Sequence, residues 1–218
     1  MPKRFDLVVF DWDGTLIDSA GAIVACIQAA CRDLGLPVPE NERASHVIGL
    51  GLADALAHAI PGLPPSEYPR VAERYRHHFL VRGASLPLFP GTHAMLVGLR
   101  ENGHALAIAT GKSSAGLARA LEQAGLKEVF DATRCADQCA PKPAPDMLLE
   151  LLAEVDVDPG RALMVGDTSH DVQMAANAGV AAVAVSYGAH EGSRLAALSP
   201  LALVHSTPEL ARWLAANA

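Results

Sequence analysis

Leu7-Val8-Val9-Phe10-Asp11-Trp12-Asp13-Gly14-Thr15-Leu16-Ile17-Asp18-Ser19 is the stretch on which the reading of this 218-residue chain turns. Its first four residues form an apolar run, too short for a helix and rich in β-branched side chains, as expected of a strand buried on both faces in a parallel sheet. An aspartate at the carboxyl end of such a strand stands where open α/β sheets bind ligands. Side chains alternate along extended backbone, so Asp11 and Asp13 share a side and Trp12 points away. Gly14 then permits a sharp turn. Two carboxylates this close repel, and they are tolerated where a cation or a shared proton compensates. An Asp-Gly turn alone also accounts for the pair. The remainder of the chain decides between that turn and a metal-binding nucleophile with its acid/base partner.

Outward from this strand, helical and strand patterns alternate. Residues 20–34 carry apolar side chains at helical spacing and are closed by Gly35 and Pro37. Helical segments follow at 40–47, 52–60 and 67–80, with no strand between them, so residues 18–85 read as an all-helical insert. From Pro87 the pattern changes. A helix from Pro90 to Glu101 precedes a buried strand at 105–109, and a helix at 114–124 stops at Gly125. A weak strand is expected at 132–135, a helix at 146–154, strands at 163–165, 180–185 and 202–204, and helices at 171–178 and 208–216. Alternating β and α segments with apolar strands predict an α/β fold, a Rossmann-like parallel sheet covered on both faces. The expected domains are a core of residues 1–17 and 86–218 and a helical cap of residues 18–85, placed to close over the carboxyl edge of the sheet.

Composition narrows the function classes. Half the residues are apolar, enough for a sizeable core, and the formal net charge is −7 with no basic block. That argues against a nucleic-acid or anionic-membrane footprint. No stretch reaches transmembrane length, and Asp11 interrupts the only apolar run near the N-terminus. Cys26, Cys31, Cys135 and Cys139 form no Cys-x-x-Cys pair, so they read as free thiols of a cytoplasmic, reducing compartment.

Three further strand ends share one logic. Thr110-Gly111 closes a strand and opens a helix, offering a hydroxyl and a backbone N–H where a phosphate can approach. Lys142 is held between Pro141 and Pro143, which restrict its backbone. Gly166-Asp167-Thr168-Ser169-His170-Asp171 places two more carboxylates after a strand. Each motif alone is matched by a helix cap or a solvated loop charge. All of them fall at the carboxyl edge of one sheet, and Asp11, Asp13, Asp167 and Asp171 concentrate negative charge there. Mg²⁺ with oxygen ligands, together with Lys142, is the natural compensation.

This set of motifs, in this order, resembles the haloacid dehalogenase superfamily, specifically its helical-cap phosphatases in the subgroup that contains phosphoglycolate phosphatases. The resemblance covers essentially the whole chain. Asp11 to Thr15 matches the Asp-x-Asp-Gly-Thr motif, Thr110 the Ser/Thr motif, Lys142 the lysine motif, and Gly166 to Asp171 the Gly-Asp-x-x-x-Asp motif. It implies that Asp11 attacks phosphorus to form an aspartyl-phosphate, and that Asp13 protonates the leaving oxygen and then activates water. It implies Mg²⁺ held by Asp11, the Asp13 main-chain carbonyl and Asp167. It implies too that Thr110, Gly111 and Lys142 clamp the phosphoryl oxygens, that Asp171 orients Lys142 in preference to binding the metal through water, and that Thr15 restrains Asp13. Trp12 replaces the usual Phe or Met as a packing residue.

The substrate is the open part. Gly49-Leu50-Gly51 lacks a preceding strand and has Asp54 where a dinucleotide fingerprint needs its last glycine, so it reads as a cap turn over the site. That turn is apolar and has no arginine for a strongly anionic leaving group, with Arg43, His46 and His58 as the nearest polar candidates. His77 and His78 read as a solvated helix face. Thr110 to Ser113 imitates a Walker A end, but Leu106 occupies the position of its first glycine. The expectation is a phosphatase acting on a small phosphorylated metabolite, as a monomer or homodimer. A phosphomutase using the same phosphoaspartate is the alternative. A dehalogenase or silent binding protein is the third class, and a poor one: a dehalogenase needs neither metal nor the second carboxylate, and here Asp13, Asp167 and Lys142 are all present.

Overall fold

The computed structural model describes residues 3–83 and 86–218. Six strands form one parallel sheet: β1 (Leu7–Phe10), β2 (Ala105–Thr110), β3 (Ala132–Cys135), β4 (Ala162–Gly166), β5 (Ala181–Val185) and β6 (Ala202–Val204), in the spatial order β3-β2-β1-β4-β5-β6. β1 is central: Leu7 is level with both Ala105 and Ala162, and Phe10 with both Ile108 and Val165. Strand order reverses around it, which opens the crevice in which such sheets bind ligands.

Alternation along the strands builds two cores. Val8, Phe10, Leu106, Ile108, Leu163 and Val165 face one layer, where they meet α5 (Thr92–Glu101), α6 (Ser114–Ala124) and α10 (Thr207–Asn217). Leu7, Val9, Ala107, Ala109 and Met164 face the other, against α7 (Asp146–Val155), α8 (Ser169–Asn177) and α9 (Gly192–Ala196). Small alanines on β2, β4 and β5 let the second layer sit close. Between β1 and β2 lie α1 (Ala20–Asp33), α2 (Asn41–His46), α3 (Leu52–Ala59) and α4 (Tyr68–Gly83), which bury a third cluster that includes Ile23, Ile27, Val47, Ile48, Leu56 and Val71. The chain leaves and re-enters the sheet along paired segments: Ile17 bridges Leu88, Asp18 N–H donates to Pro87 O at 3.0 Å, and Phe89 N–H to Leu16 O at 3.0 Å. The expected boundary after residue 85 falls at residues outside those described.

The α/β sheet expected from the sequence is present, with differences at element ends. The helix expected from Pro90 begins at Thr92, because Gly91 takes a left-handed φ of 86° before it. α8 begins at Ser169, two residues early, because Thr168 caps it and Asp171 completes a reciprocal capping box. α9 was not expected: five residues carry too short a pattern to register. Among the described residues no helix is long and apolar enough to cross a membrane.

Candidate active site

Asp11 follows β1 directly, and its N–H donates to Val165 O of β4 at 2.9 Å, which carries the ladder one residue beyond the strand. Its carboxylate is fully buried. Oδ1 accepts from Lys142 Nζ at 2.7 Å, whereas Oδ2 has no hydrogen-bond partner. Among the described residues only one other buried side-chain atom, Trp12 Nε1, shares that condition. Lys142, 1% exposed, also donates to Asp171 Oδ1 at 2.6 Å. The other Asp171 oxygen is taken by Thr168, through its N–H at 3.0 Å and its hydroxyl at 2.6 Å. The capping box that starts α8 thus also aims Asp171 at Lys142.

Asp167, after β4, accepts from the Thr15 hydroxyl at 2.8 Å and from Ala189 N–H at 2.7 Å. Oxygens of Asp11, Asp167 and Asp171 lie within 4.8 Å of one another. Glycines make this density attainable: a Cβ on Gly14 would stand 2.2 Å from Asp167 Oδ2, and one on Gly188 equally close. Gly14 also holds a φ of 82°, which L side chains rarely adopt.

Charge balance explains the titration of the cluster. Burial pushes the Asp11 carboxyl up to about 7, against Lys142, with Asp171 and Asp13 adding to the rise. Burial and the charges of Asp11 and Asp171 raise Asp167 well above the usual carboxylate range. Burial would raise Asp171 too, but Lys142 and the Thr168 hydrogen bonds outweigh it and hold Asp171 low. Lys142 is held ionised by its two carboxylates despite burial. One ammonium does not neutralise three buried carboxylates, and an orphaned oxygen points to a missing positive partner. The all-oxygen donor set suits a hard divalent cation such as Mg²⁺.

Asp13 stands apart from this cluster. Ser19 donates to its Oδ1 at 2.8 Å, and Lys112 Nζ reaches both carboxylate oxygens, at 3.0 and 2.9 Å. The Thr15 hydroxyl, expected to restrain Asp13, donates to Asp167, and the hydroxyl that donates to Asp13 is that of Ser19. Thr110 is buried at the end of β2 and accepts from Lys112 N–H at 3.3 Å. Gly111 lies under the 49–51 turn, where a Cβ would meet Leu50 O at 2.5 Å and Gly49 O at 2.6 Å.

A cavity of about 840 Å³ opens over Asp11, Asp13, Thr110, Gly111 and Lys112, walled on the opposite side by α1, α3, α4 and the 47–52 turn. Arg43, His46 and His58 do not line it; Arg76 and Arg119 do. Sequence reasoning missed these two, and Lys112, Tyr75 and Phe79 with them. Lys112 carried a signal, since it follows Thr110-Gly111 directly; the others come from α4 and, for Arg119, α6, helices whose facing direction no local motif reveals. His46 instead forms a seam with the sheet half: its carbonyl accepts from His170 Nε2 at 2.9 Å and His190 Nε2 at 3.1 Å. Burial lowers all three histidines, His190 to about 4, so they stay neutral. His78 pairs with Asp33 on the surface at 2.8 Å.

Comparison with known proteins agrees with this arrangement. Residues 8–185 match the family described as haloacid dehalogenase-like hydrolase. The chain is 37% identical to a probable phosphatase, IndB, of Dickeya dadantii, over 94% of this chain and 91% of that one. It is 32% identical to a phosphoglycolate phosphatase of Aliivibrio fischeri over 92% of each chain. It is also 36% identical to the tyrosine-protein kinase PtkA of Mycobacterium tuberculosis, over 84% of this chain but 62% of that one. In fold it resembles a haloacid dehalogenase-like hydrolase structure from Bacteroides fragilis, with a TM-score of 0.87 at 23% identity, covering 95% of this chain and 100% of the other. The chain belongs to the haloacid dehalogenase-like hydrolase family and is a hydrolase of phosphate esters, as its relatives named phosphatase support.

Proposed function

We propose that this chain is a Mg²⁺-dependent phosphatase that hydrolyses a small organic phosphomonoester through an aspartyl-phosphate on Asp11, with residues 18–85 acting as a cap. The observation that carries the reading is the unequal state of the Asp11 oxygens. Oδ1 is fixed by Lys142, and Oδ2 is buried and unpartnered, in a carboxyl group that has an oxygen within 4.8 Å of one from Asp167.

In this mechanism an Asp11 oxygen attacks phosphorus, the ester P–O bond breaks, and the leaving oxygen takes a proton from Asp13. Asp13, now a carboxylate, removes a proton from water. The resulting hydroxide attacks phosphorus, which breaks the bond to Asp11 and releases inorganic phosphate. Lys142, the Thr110 hydroxyl and the Gly111 N–H hold the phosphoryl oxygens, with charge on Lys142 sustained by Asp171. Mg²⁺, held by Asp11, Asp167 and the Asp13 carbonyl, would supply the positive charge that keeps Asp11 ionised and neutralises the transferring group. Ser19 and Lys112 fix the Asp13 carboxylate, which general acid–base transfer requires at a defined position.

Transfer to a sugar, the mutase alternative, needs hydrogen-bonding groups that can hold a polyol in two orientations. The apolar cap side of the cavity does not favour it. The test is phosphate release from a panel of phosphomonoesters with Mg²⁺. Asp11→Asn is expected to reduce it by at least about a thousandfold, as loss of a covalent nucleophile does. Turnover retained by that variant, or sugar-phosphate interconversion without phosphate release, overturns the reading.

A further inference from the structure

The cavity above Asp11 has a chemical polarity of its own. Its floor carries the ionised groups, and of these Lys112 is already engaged by Asp13. Its opposite wall is apolar, formed by Ile23 and Ile27 of α1, Ile48 of the turn, and Tyr75 and Phe79 of α4. The two aromatic rings stack at 5.7 Å between centroids, and Phe79 lies 4.7 Å from the Lys112 ammonium. Burial raises the Tyr75 hydroxyl well above its ordinary pKa, so it stays a neutral phenol. The other polar side chains bordering the cavity, among them Asp54, Arg76, Arg119 and Gln123, are exposed, and so belong to its solvent side.

We propose that the substrate is the phosphomonoester of a bulky apolar alcohol, with its hydrocarbon or aromatic part seated between α1 and α4. This rests on the phosphatase reading above. The volume, about 840 Å³, lies in the range of sites that enclose drug-sized ligands and far exceeds what a two-carbon acid fills. A sugar or hydroxy acid seated against that wall would lose water from several hydroxyls and meet only the Tyr75 phenol among its side chains, and burying unpaired polar groups is unfavourable. An apolar group meets the opposite balance, since its own burial and that of the isoleucine and aromatic wall both remove hydrocarbon from water. The exposed arginines at the mouth draw in the dianionic phosphate end by long-range attraction.

The experiment measures kcat/KM for phosphate release from straight-chain alkyl phosphates, ethyl to octyl, beside phosphoglycolate and glucose 6-phosphate. Straight-chain alcohols share nearly the same leaving-group basicity, so a trend along the series reports binding of the chain. The expected result is a rise of about tenfold or more from ethyl to octyl, with both polar esters below octyl phosphate. In Phe79→Ser the octyl-to-ethyl ratio is expected to fall toward one. A flat or falling series, or preference for either polar ester, overturns the apolar-alcohol proposal while leaving the phosphatase reading standing. Absence of phosphate release from every ester overturns both.

Discussion

Asp11, Asp13 and Asp167 are three aspartates at the same sheet edge in three different electrostatic settings. Asp11 shares Lys142 with Asp171 and has one oxygen free, Asp13 is held by Ser19 and Lys112, and Asp167 is held by neutral donors alone. Environments that pull like residues apart are how one site supplies different chemical roles. Lys112 belongs to this scheme. Its ammonium meets both Asp13 oxygens and lies 4.7 Å from the centroid of the Phe79 ring on α4. Lys112→Met keeps most of the side-chain volume and removes those two hydrogen bonds. It is expected to lower kcat by about ten- to a hundredfold, the scale of a misaligned acid/base group, with little change in thermal midpoint. Steady-state kinetics beside a melting curve checks this. An unchanged kcat would remove Lys112 from the acid–base apparatus.

At the scale of elements, the site is built from strand ends and helix starts, with glycines where side chains would collide. Gly111 lies under the carbonyls of Gly49 and Leu50, where an added Cβ would stand 2.6 and 2.5 Å from their oxygens. No rotamer change relieves a Cβ against backbone oxygens, so Gly111→Ala must push the 49–51 turn away from β2. Its expected effect is a kcat lower by about tenfold or more, with the sheet and its cores intact, because small displacements in a reactive site are amplified in rate. The checks are kinetics and far-ultraviolet circular dichroism; wild-type kcat in a folded Gly111→Ala would show that the turn does not need to lie there. The strand-end positions were legible in the sequence because β1, β2 and β4 are short apolar runs followed at once by Asp11, Thr110 and Asp167. The role of Thr15 was not, since its hydroxyl bonds a residue 152 positions away. Arg76, Tyr75 and Phe79 were hidden for a similar reason. The faces of α4 are set by packing against α1 and α3, and its sequence, mixing arginines and histidines with aromatics, leaves that direction open.

At the scale of the whole molecule, a sheet with two conventional cores carries a buried carboxylate cluster at its carboxyl edge, and four helices with an apolar cluster of their own lie across it. The parallel sheet and its element order could be read from alternation alone, because each strand is bounded by Gly, Pro or a polar switch. The histidine seam could not, as it joins His46 to His170 and His190 across more than a hundred residues. One buried ammonium faces three buried carboxylates in the carboxylate cluster, and the proposed phosphatase would complete it with Mg²⁺ and pass a phosphoryl group to Asp11. The most direct measurement is rapid-quench mass spectrometry of Asp13→Asn mixed with Mg²⁺ and 4-nitrophenyl phosphate, whose leaving group departs without a proton from Asp13, with peptide mapping. Loss of the group that activates water is expected to leave one phosphoryl group on Asp11, and chelating the metal is expected to prevent it. Turnover by Asp13→Asn with no phosphoryl group ever found on Asp11, or a phosphoryl group on a different residue, would contradict the covalent mechanism.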